Sequence, residues 1–186
     1  MDIALSLQHI KFFMGKSFKT FLKHTAKDFH NHSVNPPVVR ASTIIFKSMN
    51  DIRRTQAKNK RDPLGGHFDY GRQGTSTTHI LSKILTRLEE SYHVLLTPTG
   101  FGAVFLAIFS VVRPGDEILT ADPVYNPTRM LTQDFLTEFG VRTSFYNPHD
   151  LNSIKKNITK KTKLIFVENP GSNTFEFQDL TKIINI

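Results

Sequence analysis

Residues 94–97 form a short apolar run that stops at Pro98, the pattern of a buried strand. A glycine turn follows, and residues 103–112 are almost wholly apolar. Phe101, Phe105 and Phe109 recur every four residues, which places them on one helical face. Arg113-Pro114-Gly115-Asp116 ends that helix, and residues 117–120 read as the next strand. The alternation then repeats. A helix over 128–139 closes at Gly140, a strand covers 142–146, and Asp150 N-caps a short helix to Asn157. Residues 163–167 read as another strand, in which 164–167 form a continuous apolar run, as expected of a strand covered on both faces. Strands alternating with helices predict an α/β fold with a mainly parallel sheet and right-handed crossovers.

The first half reads differently. Residues 78–90 predict an amphipathic helix, with Ile80, Ile84 and Leu88 on one stripe and Leu81 and Leu85 beside them. Pro36 and Pro37 forbid a helix interior, so residues 35–46 are expected to be extended. Residues 47–66 are polar and basic, end in Pro63-Leu64-Gly65-Gly66, and read as a mobile loop. Met1 to His24 mixes phenylalanines with lysines and fits an amphipathic helix, a transit-like peptide or a disordered arm.

Charge sharpens this division. The chain has 186 residues and a formal charge of +8. Residues 1–60 hold 11 Lys and Arg against 3 Asp, whereas the remainder balances at 13 against 13. The basic excess therefore belongs to the N-terminal part, either as a solvated extension or as an arm for nucleic acid or membrane surfaces. No nucleic-acid motif accompanies it, and no nucleic-acid partner is expected. Cysteine is absent, which excludes disulfides, thiolate metal sites and a cysteine nucleophile, and suits a cytoplasmic protein. The longest apolar run, 104–112, is too short to span a bilayer, and no signal peptide is expected. His24, His30 and His32 lack the carboxylates or cysteines that would complete a metal site.

Candidate chemistry sits in the turns. Thr99-Gly100-Phe101-Gly102 leads from a strand into a helix, a place to hold an anion, although the same pattern also serves simple chain reversal. Tyr70 and Arg72 lie two apart and in an extended segment would point the same way. An arginine fork with a tyrosine hydroxyl suits phosphate oxygens, and an exposed arginine beside a half-buried tyrosine is the plainer account. Tyr125, on the loop after the second strand, offers a flat ring or is an ordinary loop tyrosine.

The words Val34-Asn35-Pro36-Pro37-Val38, Tyr70-Gly71-Arg72-Gln73-Gly74-Thr75, Thr99-Gly100, Arg113-Pro114-Gly115-Asp116, Tyr125-Asn126-Pro127-Thr128 and Glu168-Asn169-Pro170-Gly171-Ser172 occur in a fixed order. That order resembles the transsulfuration branch of pyridoxal-phosphate enzymes over about residues 25–186. Within that branch, Gly171-Ser172 with Thr174-Phe175-Glu176 and Gly74-Thr75 look most like the cystathionine β-lyases.

The resemblance implies a fold type I transferase-like architecture. Residues 1–66 would be a basic extension and arm reaching to a neighbouring subunit, and residues 67–186 an incomplete pyridoxal-phosphate domain. It implies pyridoxal 5′-phosphate as cofactor. Tyr70 and Arg72 would hold the phosphate of an adjacent subunit, and the Gly100 and Phe101 amides the phosphate within the chain. Phe101 is bulkier than the family's usual residue there, and a ring narrows the site. Tyr125 would stack on the pyridine ring and help move protons. The implied reaction is C–S cleavage of L-cystathionine to homocysteine, pyruvate and ammonia. γ-Synthase or γ-lyase chemistry, or a non-enzymatic binding protein using the basic segment, are the alternatives. The Schiff-base lysine of the family lies downstream of the Glu168–Ser172 word. Here only Lys182 follows that word, in a different context. The chain alone is thus expected to be inactive, working as a homodimer or homotetramer or with a complementing C-terminal chain on a small amino-acid substrate. An incomplete sheet is expected to expose a strand edge and apolar faces.

Overall fold

A computed structural model of the chain describes residues 35–186. The readings made for residues 1–34, including the three histidines, lie outside the described residues. Two compact units are present, one running to Leu96 and the other comprising Thr97–Ile186.

In the first unit, residues 35–46 contain no helix, and Thr43 alone makes a β-bridge. One isolated antiparallel bridge joins Thr43 to Tyr70. The Val39 amide donates to Thr77 Oγ1 at 2.8 Å, and the Gly71 amide to the Ser42 carbonyl at 2.7 Å. A loop expected over 47–66 is instead mostly the helix α1, Met49–Arg61. Ser48 caps it by accepting the Asp51 amide, and Lys58, Lys60 and Arg61 occupy its last turn, where the helix dipole favours cations. None of its residues is fully buried, so it leaves no apolar stripe to read.

Helix α2, Ser76–Leu88, follows the predicted amphipathic segment. The Thr78 hydroxyl accepts the Thr75 amide at its start. Of the predicted stripe, only Ile80 is fully buried, and Leu81 and Leu88 stay half exposed. The strand predicted at 94–97 is not formed. Val94 gives its carbonyl to Ser82 Oγ at 2.5 Å and its amide to Thr86 Oγ1 at 3.0 Å. Side chains of α2 thereby take the two groups Val94 would bring to a sheet ladder, and Leu95 remains 70 % exposed.

The second unit follows the predicted alternation. Helix α3 spans Gly100–Val111, β1 Glu117–Ala121, α4 Asn126–Met130. A π-helical segment, Leu131–Phe135, carries α4 into the short α5, Leu136–Glu138. Then come β2, Arg142–Tyr146, α6, Leu151–Asn157, β3, Thr162–Phe166, and α7, Leu180–Ile184. The three strands form one all-parallel sheet in the order β2-β1-β3. Gly140, at φ +77°, ends α5 in a Schellman arrangement. Its own amide returns to the Thr137 carbonyl and that of Val141 to the Leu136 carbonyl.

Central strand β1 is buried along its whole length, and its side chains feed two cores. Ile118 packs with Ile108, Leu131, Leu136 and Val141 on one face, while Leu119 and Ala121 pack with Tyr146, Ile154 and Ile183 on the other. β3 contributes to both faces, Leu164 and Phe166 to the first and Ile165 to the second. Helix α3 carries no charged residue, yet only Ile108 is fully buried, and Phe101, Leu106, Phe109 and Val111 are exposed. Phe105 and Phe109 stack at 5.3 Å between ring centroids, as their spacing predicts. Among the described residues, no helix is long and apolar enough to cross a membrane.

Candidate cofactor site

Three strand ends point their carboxyl termini at the same side of the second unit, the side on which α/β sheets bind ligands. Thr99 caps α3 there. Its hydroxyl accepts the Gly102 amide at 2.9 Å, and its carbonyl accepts the Ala103 amide at 3.1 Å. Gly100 and Phe101, at the first two helical positions, have no intrahelical acceptor for their own amides. A Cβ added at Gly100 would meet nothing within 4 Å. Two amides left without an intrahelical partner at a helix start suit a phosphate. The preceding strand of the expected strand–turn–helix unit is missing, so capping by Thr99, not a strand end, aims these amides.

Tyr125 follows β1 on a short loop and is the N-cap of α4, with Pro127 in the helix's first turn. Its ring is 48 % exposed. Its amide donates to Glu168 Oε2 at 3.0 Å, so a carboxylate beyond β3 holds the loop beyond β1. Helices α3 and α4 are in contact, and each begins with one of the candidate groups, the Gly100–Phe101 amides on α3 and Tyr125 at the N-cap of α4. Arg129, one turn into α4, donates to Asp122 Oδ1 at 2.7 Å and lies 3.9 Å from the centre of the Phe145 ring. It braces the same loop from behind.

The Glu168–Ser172 word leaves β3 and is tied down by Gln178. The Gln178 amide donates to Asn169 Oδ1 and its side chain to the Glu168 carbonyl, both at 2.8 Å. Tyr146, at the end of β2, donates its buried hydroxyl to Gln178 Oε1 at 2.7 Å. Burial pushes the Tyr146 phenol up to about 12, so it remains a neutral donor. Beside it, a cleft of about 400 Å³ is lined by Asp122, Phe145, Tyr146, Thr174 and Glu176. The Thr174 hydroxyl holds the Glu176 carboxyl below its ordinary value. Lys182 is engaged, its Nζ lying 2.9 Å from Asp179 Oδ2. Hydrogen bonding by Lys182 also lowers the Asp179 carboxyl.

Tyr70 and Arg72 belong to the first unit. They are adjacent, but not as members of one extended segment. Tyr70 is extended, and Arg72 sits in the 3-10 turn Gly71–Gln73 with its guanidinium 5.2 Å from the centre of the Tyr70 ring. The arm explains this turn. A Cβ on Gly71 would lie 1.8 Å from the Ala41 carbonyl oxygen, so only glycine permits the arm's approach. Among the described residues, no group of three or more His, Cys, Asp or Glu side chains is placed to hold a metal.

Glu168, Gln178 and Arg129 are the residues that sequence reasoning missed as parts of this arrangement. Glu168 stood inside a recognised word, but nothing in its neighbours announces a bond to Tyr125, 43 residues away.

Comparison with known proteins identifies the family. The family described as Cys/Met metabolism PLP-dependent enzyme matches residues 19–186. Cystathionine β-lyase of Escherichia coli is 31% identical over 159 residues, covering 86% of this chain and 39% of its own. An L-alanine/L-glutamate racemase of Wolbachia pipientis is 30% identical over 176 residues, covering 90% and 43%. A Campylobacter jejuni crystal structure, assigned as an O-acetylhomoserine (thiol)-lyase, contains a pyridoxyl-lysine monophosphate. It superposes with a TM-score of 0.75 at 25% identity, over 90% of this chain and 40% of its own. The chain thus spans about two fifths of the length of the relatives it matches. It belongs to the Cys/Met metabolism family of PLP-dependent enzymes, whose cofactor is pyridoxal phosphate.

Proposed function

We propose that this chain carries a pyridoxal-phosphate half-site of a cystathionine β-lyase. The observation that carries the reading is the pair of amides without an intrahelical partner at Gly100 and Phe101, on a helix touching the one that Tyr125 caps. In this reading the two amides bind the phosphate, and the Tyr125 ring lies on the pyridine and its hydroxyl relays a proton. Tyr70 and Arg72 supply a charged fork and a neutral donor to a phosphate, that of an adjacent subunit. Pyridoxal phosphate, when bound, supplies an electron-withdrawing ring that takes up the charge left when a proton leaves Cα of an amino acid. The overall reaction consumes L-cystathionine and water and yields homocysteine, pyruvate and ammonia.

Titration of the purified chain with pyridoxal phosphate, followed by visible circular dichroism, tests the cofactor reading. A saturable signal that weakens about tenfold in Tyr125→Ala supports it. Absence of any signal, or a signal indifferent to Tyr125, overturns it. Borohydride reduction should leave Lys182 without a stoichiometric label, because its surroundings do not match those of the family's Schiff-base lysine. A stoichiometric label there would overturn the view that this chain contributes no lysine to the chemistry. Substrate class is tested by offering L-cystathionine to the protein reconstituted with a complementing C-terminal chain and assaying pyruvate. α-Ketobutyrate or D-alanine production from competing substrates would replace β-elimination with γ-elimination or racemisation.

A further inference from the structure

The geometry points to Glu168 and Gln178 as positioning residues that set where the Tyr125 ring is presented. The inference rests on the cofactor reading for its purpose, but not for its geometry. Tyr125 is the N-cap of α4, and its amide is a group that a capping box normally satisfies from the third helical residue. That residue is Thr128, whose side chain is buried at 1 % exposure and whose hydroxyl has no partner among the described residues. No local residue is therefore placed to hold the Tyr125 amide. Glu168 takes over from a different strand end, its Oε2 accepting the Tyr125 amide at 3.0 Å.

Glu168 is itself held. Its carbonyl accepts the Gln178 side-chain amide, the neighbouring Asn169 side chain accepts the Gln178 backbone amide, and the Asn169 amide group returns to the Gln178 carbonyl at 3.4 Å. Gln178 is 6 % exposed and its remaining oxygen is taken by the Tyr146 hydroxyl, so its orientation is settled from all sides. One glutamine thus joins the ends of β2 and β3, and one carboxylate passes that register on to the loop after β1. Neither residue need touch a ligand to do this.

The test reads the loop and the cofactor separately. Amide hydrogen exchange at Tyr125, measured by NMR on the ligand-free chain, should speed up about tenfold in Glu168→Leu. It should stay within about twofold of the parent in Glu168→Gln, whose side-chain carbonyl still accepts. Gln178→Leu should speed the same amide although it does not touch it. Should that buried variant fail to fold by far-ultraviolet circular dichroism, the half-exposed Glu168 pair still decides the matter. Unchanged exchange in Glu168→Leu overturns the proposal outright. Pyridoxal-phosphate affinity should fall about tenfold in Glu168→Leu and be rescued in Glu168→Gln. Equal losses in both variants would mean that the charge of Glu168 matters and its acceptor role does not, and would also overturn it. A chain whose Tyr125 exchange responds as described but that binds no cofactor would sink the cofactor reading and leave the loop assignment supported.

Discussion

The two ends of the same three-stranded sheet are fastened by opposite chemistry. At the amino ends one buried carboxylate does the joining. Glu117 binds the Arg142 guanidinium at the start of β2 and accepts the Thr159 hydroxyl ahead of β3, while its amide donates to the Lys161 carbonyl. The Thr159 hydroxyl first, and the Arg142 charge with it, hold the Glu117 carboxyl below its ordinary value against the opposing effect of burial. At the carboxyl ends the central groups are neutral, a phenol and an amide, with a half-exposed carboxylate only at the last step to Tyr125. The amino end is a clamp that acid can open. The carboxyl end is joined through neutral groups and leaves the Tyr125 ring half exposed.

Substitutions can break this comparison at graded cost. Leu119 sits in the central strand between the two fastenings and is 1 % exposed. Leu119→Ala should lower unfolding free energy by about 2–5 kcal/mol in chemical denaturation, because it leaves a cavity common to both ends. Tyr146→Phe should cost about 1–3 kcal/mol by leaving the Gln178 oxygen buried without a donor. It should also remove an alkaline loss of stability. The phenol is raised from 10.0 to about 12 in the folded chain, so its contribution is full below 10 and declines as pH rises toward 12. Glu117→Gln should act on the acid side. The parent carboxyl is depressed on folding, so its contribution is present above the ordinary value of 4.5 and disappears as pH falls below it. A thermal-melt series from neutral to acidic pH should be flatter in the variant. Equal acid sensitivity in both would remove the clamp from the account. Tyr125→Ala should change stability least, by no more than about 0.5 kcal/mol, since its ring is exposed.

Much of the second unit is legible in the sequence alone. Strand β2 matches its predicted bounds, Asp150 caps α6 through a bond to the Asn152 amide, and Gly140 closes α5 where a positive φ is needed. These are local signals, a side chain beside the groups it serves. Legibility fails where partners are remote or periodicity is silent. Helix α1 has capping and charge but no apolar stripe. The run at 94–97 looks like a strand because its composition does not reveal that Ser82 and Thr86 consume both backbone groups of Val94. At the site, the helix start at Gly100 and the loop at Tyr125 are readable as words, whereas the Glu168 bond joins segments that no spacing rule connects.

The closeness of Ala41 to Gly71 has a mechanical consequence. With the Thr43–Tyr70 bridge and the Gly71–Ser42 bond, it rivets the arm to the tyrosine–arginine turn. Any surface that grips the arm therefore also takes hold of Tyr70 and Arg72, as a handle takes the key with it. Under the proposed function, docking of the arm and delivery of those two side chains would be a single event.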